Sequence, residues 1–319
     1  MITYIIRRLL WALVILIMLT LLVFFAMRLL PGDPLLIYVA RSQGLASMPP
    51  EALARLRTEY GLDKPIMVQY FNWVGNVVRG NFGTSIYFHE NVGKLLLKRF
   101  PITIYLGTIS FVIATIVGTL AGLLAALRRS KLADQIVTPL SYIGITVPIF
   151  WLGILMIYLF GLKLRWLPIA GYTSPLDDFW LSTRQIIMPV ICLAIADIAA
   201  LSRQMRSSVL EVIRQDYIRT AWSKGLRESI IVMRHVLKNS LIPVITLMGI
   251  AISLIFGGSV LVESVFNIPG IGRLMVQGIF AQDYVVVQSC ALVFGVIIVL
   301  TNLIVDISYG WLDPRVRYG

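Results

Sequence analysis

The sequence predicts an all-α membrane protein with six transmembrane helices, and three observations carry that prediction. The chain has 319 residues, 58% hydrophobic and only 14% charged, where soluble domains hold about 45–50% apolar and about 25% charged residues. Its mean hydropathy is +0.84. The apolar residues are gathered into runs that reach, or nearly reach, the length needed to cross a bilayer core about 30 Å thick. These runs are Leu9–Leu30, Ile102–Leu127, Ile136–Leu162, Ile186–Arg206, Leu241–Val262 and Val285–Tyr309.

The first run follows Arg7-Arg8 and has the outline of a secretion signal. It is longer than the roughly 7–15 apolar residues of such a signal and no small-residue cleavage site follows, so it reads as a retained anchor. The segment 31–101 is too long for a simple connector and reads as a small extracytoplasmic domain. Within it Pro49-Pro50-Glu51 precedes a helical Ala52–Tyr60, with Pro50 suited to the first turn. In the second run, Gly118-x-x-x-Gly122 permits close approach of another helix. Pro148 in the third and Gly257-Gly258 in the fifth mark places where a span can bend or break. The fourth run is the weakest, because it carries Asp197. An ionisable group at mid-span costs ~2.5–3.5 kcal/mol on insertion scales, so it must face protein or water. Asp197 therefore either lines a transport path or is hydrogen-bonded between helices.

Charge sets the orientation. With the N-terminus inside, the inner segments hold Arg7, Arg8, Arg128, Arg129, Lys131, Arg203, Arg206, Arg214, Arg219, Lys224, Arg227, Arg234, Lys238, Arg315 and Arg317. The short outer loops hold only Lys163, Arg165, Arg184 and Arg273. Long loops translocate largely regardless of charge, so the short ones decide, and both termini are placed in the cytoplasm. The same bias accounts for the net charge of +12 without a nucleic-acid partner. Cys192 and Cys290 both fall in apolar runs, which argues against a disulfide, and the chain has only two histidines, so neither a zinc centre nor a membrane enzyme has support. Gly93-Lys94 is followed by Leu95 and lacks the upstream glycine of a phosphate loop. The chain is thus expected to hold no cofactor of its own. A secondary transporter would require coupling-ion ligands within the membrane and usually inverted repeats, and only Asp197 is a candidate ligand.

The inner segment 207–240 is the most informative. Ser208 followed by Glu211 fits a capping box. Val209, Ile213, Tyr217 and Thr220/Ala221 then recur at helical spacing. Lys224-Gly225 suits a helix C-terminus, and a second helix begins near Arg227-Glu228 and runs into the fifth span. A helix, a glycine turn and a second helix beneath the membrane make a contact for a soluble partner.

The segment Asp216-Tyr217-Ile218-Arg219-Thr220-Ala221-Trp222-Ser223-Lys224-Gly225, followed by His235-Val236-Leu237-Lys238-Asn239, resembles the cytoplasmic "EAA" loop of ABC-importer permeases. Gly225, Ala221 and Leu237 match the general pattern. Arg219, Thr220 and His235 depart from it in the manner of the dipeptide/oligopeptide/nickel permease subfamily, and Lys238 stands where Pro is common. Pro31-Gly32-Asp33-Pro34, Tyr60-Gly61-Leu62-Asp63-Lys64-Pro65, Gly80-Asn81-Phe82-Gly83-Thr84-Ser85, Glu263-Ser264-Val265-Phe266, Pro269-Gly270-Ile271-Gly272, Asp283-Tyr284 and Asp313-Pro314-Arg315 are similar to further subfamily signatures, in order and at family spacing. The resemblance implies a type I ABC-importer permease fold: a first helix over residues 1–30, the outer domain 31–101, a transmembrane core 102–309 that includes the coupling loop 207–240, and a cytoplasmic tail 310–319. It also implies a homologous second permease, two cytoplasmic ABC ATPase subunits that bind the ATP and Mg, and an extracytoplasmic binding protein, all at a prokaryotic cytoplasmic membrane. Asp216, Arg219, Thr220, Ala221, Lys224, Gly225, His235 and Leu237 are the residues implied to meet the ATPase. The implied solute is a dipeptide or oligopeptide, with nickel chelates and glutathione as alternatives, and the chain itself is implied to be non-catalytic.

Overall fold

A computed structural model of the chain describes residues 2–29, 50–59 and 61–312. The Pro31–Pro34 and Asp313–Arg315 signatures and most of the 310–319 tail lie outside the described residues. The described residues are helical apart from turns and one isolated bridge between Thr84 and Asn91. In chain order the helices are α1 Ile2–Leu29, α2 Pro50–Glu59, α3 Ile66–Val78, α4 Val92–Leu127, α5 Leu132–Thr146 and α6 Ile149–Met156, the last continued by a π-helical Ile157–Lys163. After these come α7 Phe179–Val212 and α8 Asp216–Ser223. A short Glu228–Ile230 turn and a π-helical Ile231–Val236 lead into α9 Leu237–Val265, which is followed by α10 Ile271–Ala281 and α11 Tyr284–Leu312. Pro50 opens α2, as its fixed φ favours.

Among the described residues five helices are long and apolar enough to cross a membrane: Ile6–Leu29, Val92–Leu127, Phe179–Val212, Glu228–Val265 and Tyr284–Val305. The third run, read from sequence as one span, is two helices: Leu132–Thr146 and Ile149–Lys163 meet at 105° and make a sixth span if the bent pair is counted as one. The break falls at Pro148, which caps α6 and has no N–H with which to continue α5. Gly257 and Gly258, by contrast, lie within an unbroken α9.

The chain divides into two compact units, one built around residues 104–268 and the other from 6–103 and 269–299. In the first, α7 is the central helix, with Met188, Cys192, Ala194, Leu201, Met205 and Val209 at most 2% exposed. This explains why the fourth run is the least apolar: its surroundings are protein on most sides rather than lipid. The α4 glycines lie against it. A Cβ at Gly118 would stand 2.9 Å from the Ile198 carbonyl oxygen, and one at Gly122 would overlap that of Ser202. Small residues are what allow the two backbones to come this close.

In the second unit α3 packs along α1. Phe24 is fully buried, edge-on to Tyr70 at 5.2 Å between centroids, and Thr20 and Tyr70 share a 3.0 Å hydrogen bond. The loop before α4 is pinned by Asp283, which is 1% exposed. Its Oδ2 accepts from Ser85 Oγ (2.6 Å) and the Tyr87 N–H (3.0 Å), while its Oδ1 caps α11 through the Val286 N–H (3.2 Å).

Candidate coupling surface

The inner segment departs from its sequence reading at the start. Ser208 and Glu211 do not begin a helix; α7 runs on to Val212, and Ser208 is a buried residue within it that accepts from Gln204 Nε2 at 3.2 Å. The chain then turns over Ile213–Gln215, and α8 begins at Asp216 with Gln215 as its cap residue. That turn resets the helical phase. The side chains that seat α8 are Ile218 (0% exposed) and Ala221 (5%), whereas Tyr217 is 45% exposed. They belong to one cluster with Met205 and Val209 of α7, Ala126 of α4, Ile231 and Val236 of the π-helical turn, and Val244 of α9.

The other end matches the sequence reading. The Gly225 N–H reaches the Trp222 carbonyl at 2.9 Å and the Leu226 N–H reaches Ala221 at 3.4 Å, the paired bonds of a Schellman closure. Such a closure needs a left-handed residue at this point, and Gly225 has φ +73°. The next helical segment starts at Glu228 with Arg227 as its cap.

The residues singled out by the resemblance thus fall into three groups. Asp216, Arg219, Thr220 and Lys224 are exposed. Asp216 and Arg219 form a 3.6 Å ion pair with side chains 96% and 72% exposed, a geometry that contributes at most about 1 kcal/mol. The Thr220 hydroxyl bonds back to the Asp216 carbonyl at 3.0 Å. Ala221 and Gly225 seat and close the helix. His235 and Leu237 lie on the second limb: Leu237 packs against the same cluster, and Asn239 donates both to the His235 carbonyl (2.8 Å) and to the Tyr217 hydroxyl (3.2 Å). What remains open on α8 is a face carrying Tyr217 and Trp222 (46% exposed) among cations.

Asp197 is not part of this surface. It sits in α7 about 22 Å from the helix's inner end, at 1.5 Å per residue. It is 5% exposed, and among the described residues no hydrogen bond or ion pair reaches its carboxyl. The interhelical hydrogen bond considered from sequence is therefore absent among them.

Sequence reading missed Ile218, whose signal is visible only once the break at Ile213–Gln215 is known. It also missed Asp134. That residue is 7% exposed and holds Arg206 through Nε–Oδ1 at 2.6 Å and Nη2–Oδ2 at 2.9 Å.

In the unit built around residues 104–268, apolar helices thus surround α7, and the short α8 follows its end. The chain belongs to the family of binding-protein-dependent transport system inner membrane components: that family's model matches residues 118–318, and the model of the N-terminal part of such membrane components matches residues 1–107. It is 39% identical over 319 residues to the di/tripeptide transport system permease protein DppB of Pseudomonas aeruginosa, covering 94% of each chain. It is 41% identical over 316 residues to a Brucella abortus protein assigned as a peptide transport system permease, covering 98% of each. A Brucella ovis protein assigned as a peptide permease is 38% identical over 320 residues, 99% of each chain. The chain is accordingly a non-catalytic inner-membrane permease of an ABC transport system that works with a binding protein and ATPase partners.

Proposed function

We propose that this permease moves di- and oligopeptides inward across the membrane and that α8 is the helix through which ATPase subunits drive it. The observation that carries the coupling role is the construction of α8 itself. It is eight residues long, seated by Ile218 and Ala221, closed at Gly225, and presents Tyr217 and Trp222 outward. A helix this short is not stable alone, so its order comes from packing on α7 and the second limb, as a docking element requires. The peptide solute is supported by full-length likeness to relatives named for peptide transport. In this reading both termini are cytoplasmic and residues 31–101 lie outside. The exposed Trp166, Phe179 and Trp180 at the α6–α7 connection (61%, 59% and 75%) suit the opposite, outer interface, where aromatic residues collect. A second permease and two ATPases complete the assembly, and Asp197 lines the path in a state where the helices around α7 have parted.

Affinity purification of the chain with its co-expressed transport partners tests the coupling role. Tyr217→Asp/Trp222→Asp is expected to lose the ATPases while keeping the second permease, because both side chains are exposed and neither belongs to the buried cluster that seats α8. Retention of the ATPases at the parental ratio would refute the assignment of α8. Uptake of labelled dipeptide by vesicles tests the solute, and uptake of a nickel chelate or glutathione in its place would reassign it.

A further inference from the structure

Among the described buried groups that the coupling surface does not use is the Asp134 carboxylate, which accepts four hydrogen bonds. Besides its side-on pairing with Arg206, its Oδ2 accepts the Ser130 N–H (2.9 Å) and its Oδ1 the Thr138 hydroxyl (2.9 Å). Ser130 is held in a left-handed turn at φ +61°. The carboxylate therefore fixes the start of α5 and, through Arg206, joins it to α7.

The position of this joint matters more than its strength. Within α5 only Asp134, Ser141 and Gly144 are buried. Ser141 spends its hydroxyl on the Val137 carbonyl of its own helix, and Gly144 approaches Ala199 of α7, where an added Cβ would come to 3.0 Å. Leu132, Ile136 and Leu140 face outward, 48–70% exposed. So α5 is held by a narrow stripe, and at its inner end the directional tie to α7 is Asp134. On α7, Arg206 follows Met205, which with Val209 is fully buried and shares one cluster with Ile218 and Ala221 of α8. The last turns of α7 thus share a buried cluster with α8 and also hold the start of α5, the inner limb of the span that bends by 105° at Pro148.

We propose that the Asp134–Arg206 pair is the linkage that makes the broken α5–α6 span follow α8, so that both are positioning residues for coupling ATP hydrolysis to solute movement. Two parallel N–H···O bonds fix orientation as well as distance, which an apolar contact free to slide does not. This inference rests on the reading of α8 as the coupling helix.

The test uses the full transport assembly with its binding protein in proteoliposomes, comparing the parent with Asp134→Asn and with Arg206→Lys. Lysine keeps the charge and loses the paired geometry, so it serves if the neutral variant fails to assemble. The expected result is recovery of all subunits with at least a tenfold fall in solute taken up per ATP hydrolysed. An unchanged ratio overturns the proposal. So does a proportional loss of uptake and hydrolysis that tracks the amount of assembled complex, since that is what a merely structural tie would give. A second readout places spin labels at Leu132→Cys and Ser223→Cys, both exposed, while the native Cys192 and Cys290 are fully buried. The distance between the labels is expected to stay fixed through the nucleotide cycle in the parent and to shift by several ångström in Arg206→Lys. A distance that already changes in the parent overturns the linkage. Failure of the coupling-helix reading is seen separately, as ATPases retained by Tyr217→Asp/Trp222→Asp.

Discussion

Gly225 offers a way to separate backbone strain from partner contact. It closes α8 at φ +73°, and a Cβ built there meets no atom within 4 Å. Size alone therefore costs nothing inside this chain, and any penalty is conformational. An ordinary L-residue in that region costs about 1–2 kcal/mol, asparagine less because it visits the region readily, and a β-branched residue the most. What is strained is the closure itself, the two bonds from Gly225 to Trp222 and from Leu226 to Ala221, at the end of a helix of only eight residues. Opening them frays a substantial part of the docking element. One to two kcal/mol corresponds to a factor of about 5–30 in an equilibrium. If the ATPase binds only the closed helix, its affinity is expected to be near parental for Gly225→Asn, up to about fivefold weaker for Gly225→Ala and up to about thirtyfold weaker for Gly225→Val, the full factors applying where the open helix already predominates before docking. Titration of purified ATPase onto the permease in nanodiscs measures this series. Asn and Val are similar in volume but opposite in their tolerance of a left-handed backbone, so the pair decides. Equal loss with both would refute the backbone argument and mean that the partner packs directly on Gly225.

The remaining predictions concern packing and the outer loop. Gly122→Leu is expected to destabilise the α4–α7 contact by about 1–3 kcal/mol, because even its Cβ overlaps the Ser202 carbonyl oxygen and lies 2.8 Å from Met205 Cβ; thermal melting in detergent reads it. Gly75→Ala in α3, with no atom within 4 Å of the new Cβ, is expected in the same assay to be neutral or to stabilise by up to about 1 kcal/mol. Asp283→Ala leaves the Tyr87 and Val286 N–H groups without their acceptor. A loss of about 1–3 kcal/mol is expected as faster hydrogen exchange across residues 81–91. Asp197→Leu removes a buried carboxyl that has no hydrogen bond or ion pair among the described residues, so it is expected to raise the melting temperature while lowering uptake. Normal uptake in Asp197→Asn would remove the need for a charge there.

How much was legible in the sequence differs from element to element. The spans were legible because apolar length is a local property, and the close approach at Gly118 and Gly122 because glycine spacing is one too. Gly225 was legible twice over, from the resemblance and from its placement after Lys224, and its φ +73° gives the physical reason for the motif. The seat of α8 was not. The turn at Ile213–Gln215 contains neither glycine nor proline, so nothing punctuates it. A period carried across it selects Tyr217 where the fold buries Ile218. Ser208 and Glu211 fail for the related reason that a capping-box pattern also occurs in helix interiors. Pro148 marks a break in the third run but not its angle. The pairing of Asp134 with Arg206, 72 residues apart, is a property of the packed fold that local pattern does not reveal.

The seating of α8 also constrains how work enters the membrane. Its exposed ion pair adds at most about 1 kcal/mol, and full burial of one isoleucine about 1.5–3 kcal/mol, so α8 is held by a modest apolar contact rather than by charge. Yet that contact is not a satellite of the core. Ile218 and Ala221 share one cluster with residues of α4, α7 and α9. A packed core has discrete arrangements and does not deform continuously. A partner that displaces α8 must therefore either peel it off, losing Ile218 to water, or carry the inner ends of α7 and α9 with it. The second route is favoured by chain connectivity at both ends of α8 and by the Asn239–Tyr217 bond on one side. Since α7 leaves α8 through three residues and the second limb returns after four, from Ser223 to Glu228, neither connection is long enough to let α8 move far alone. In the proposed coupling the short helix acts on two spans together, and the Asp134–Arg206 tie brings a third, already bent, into the same motion.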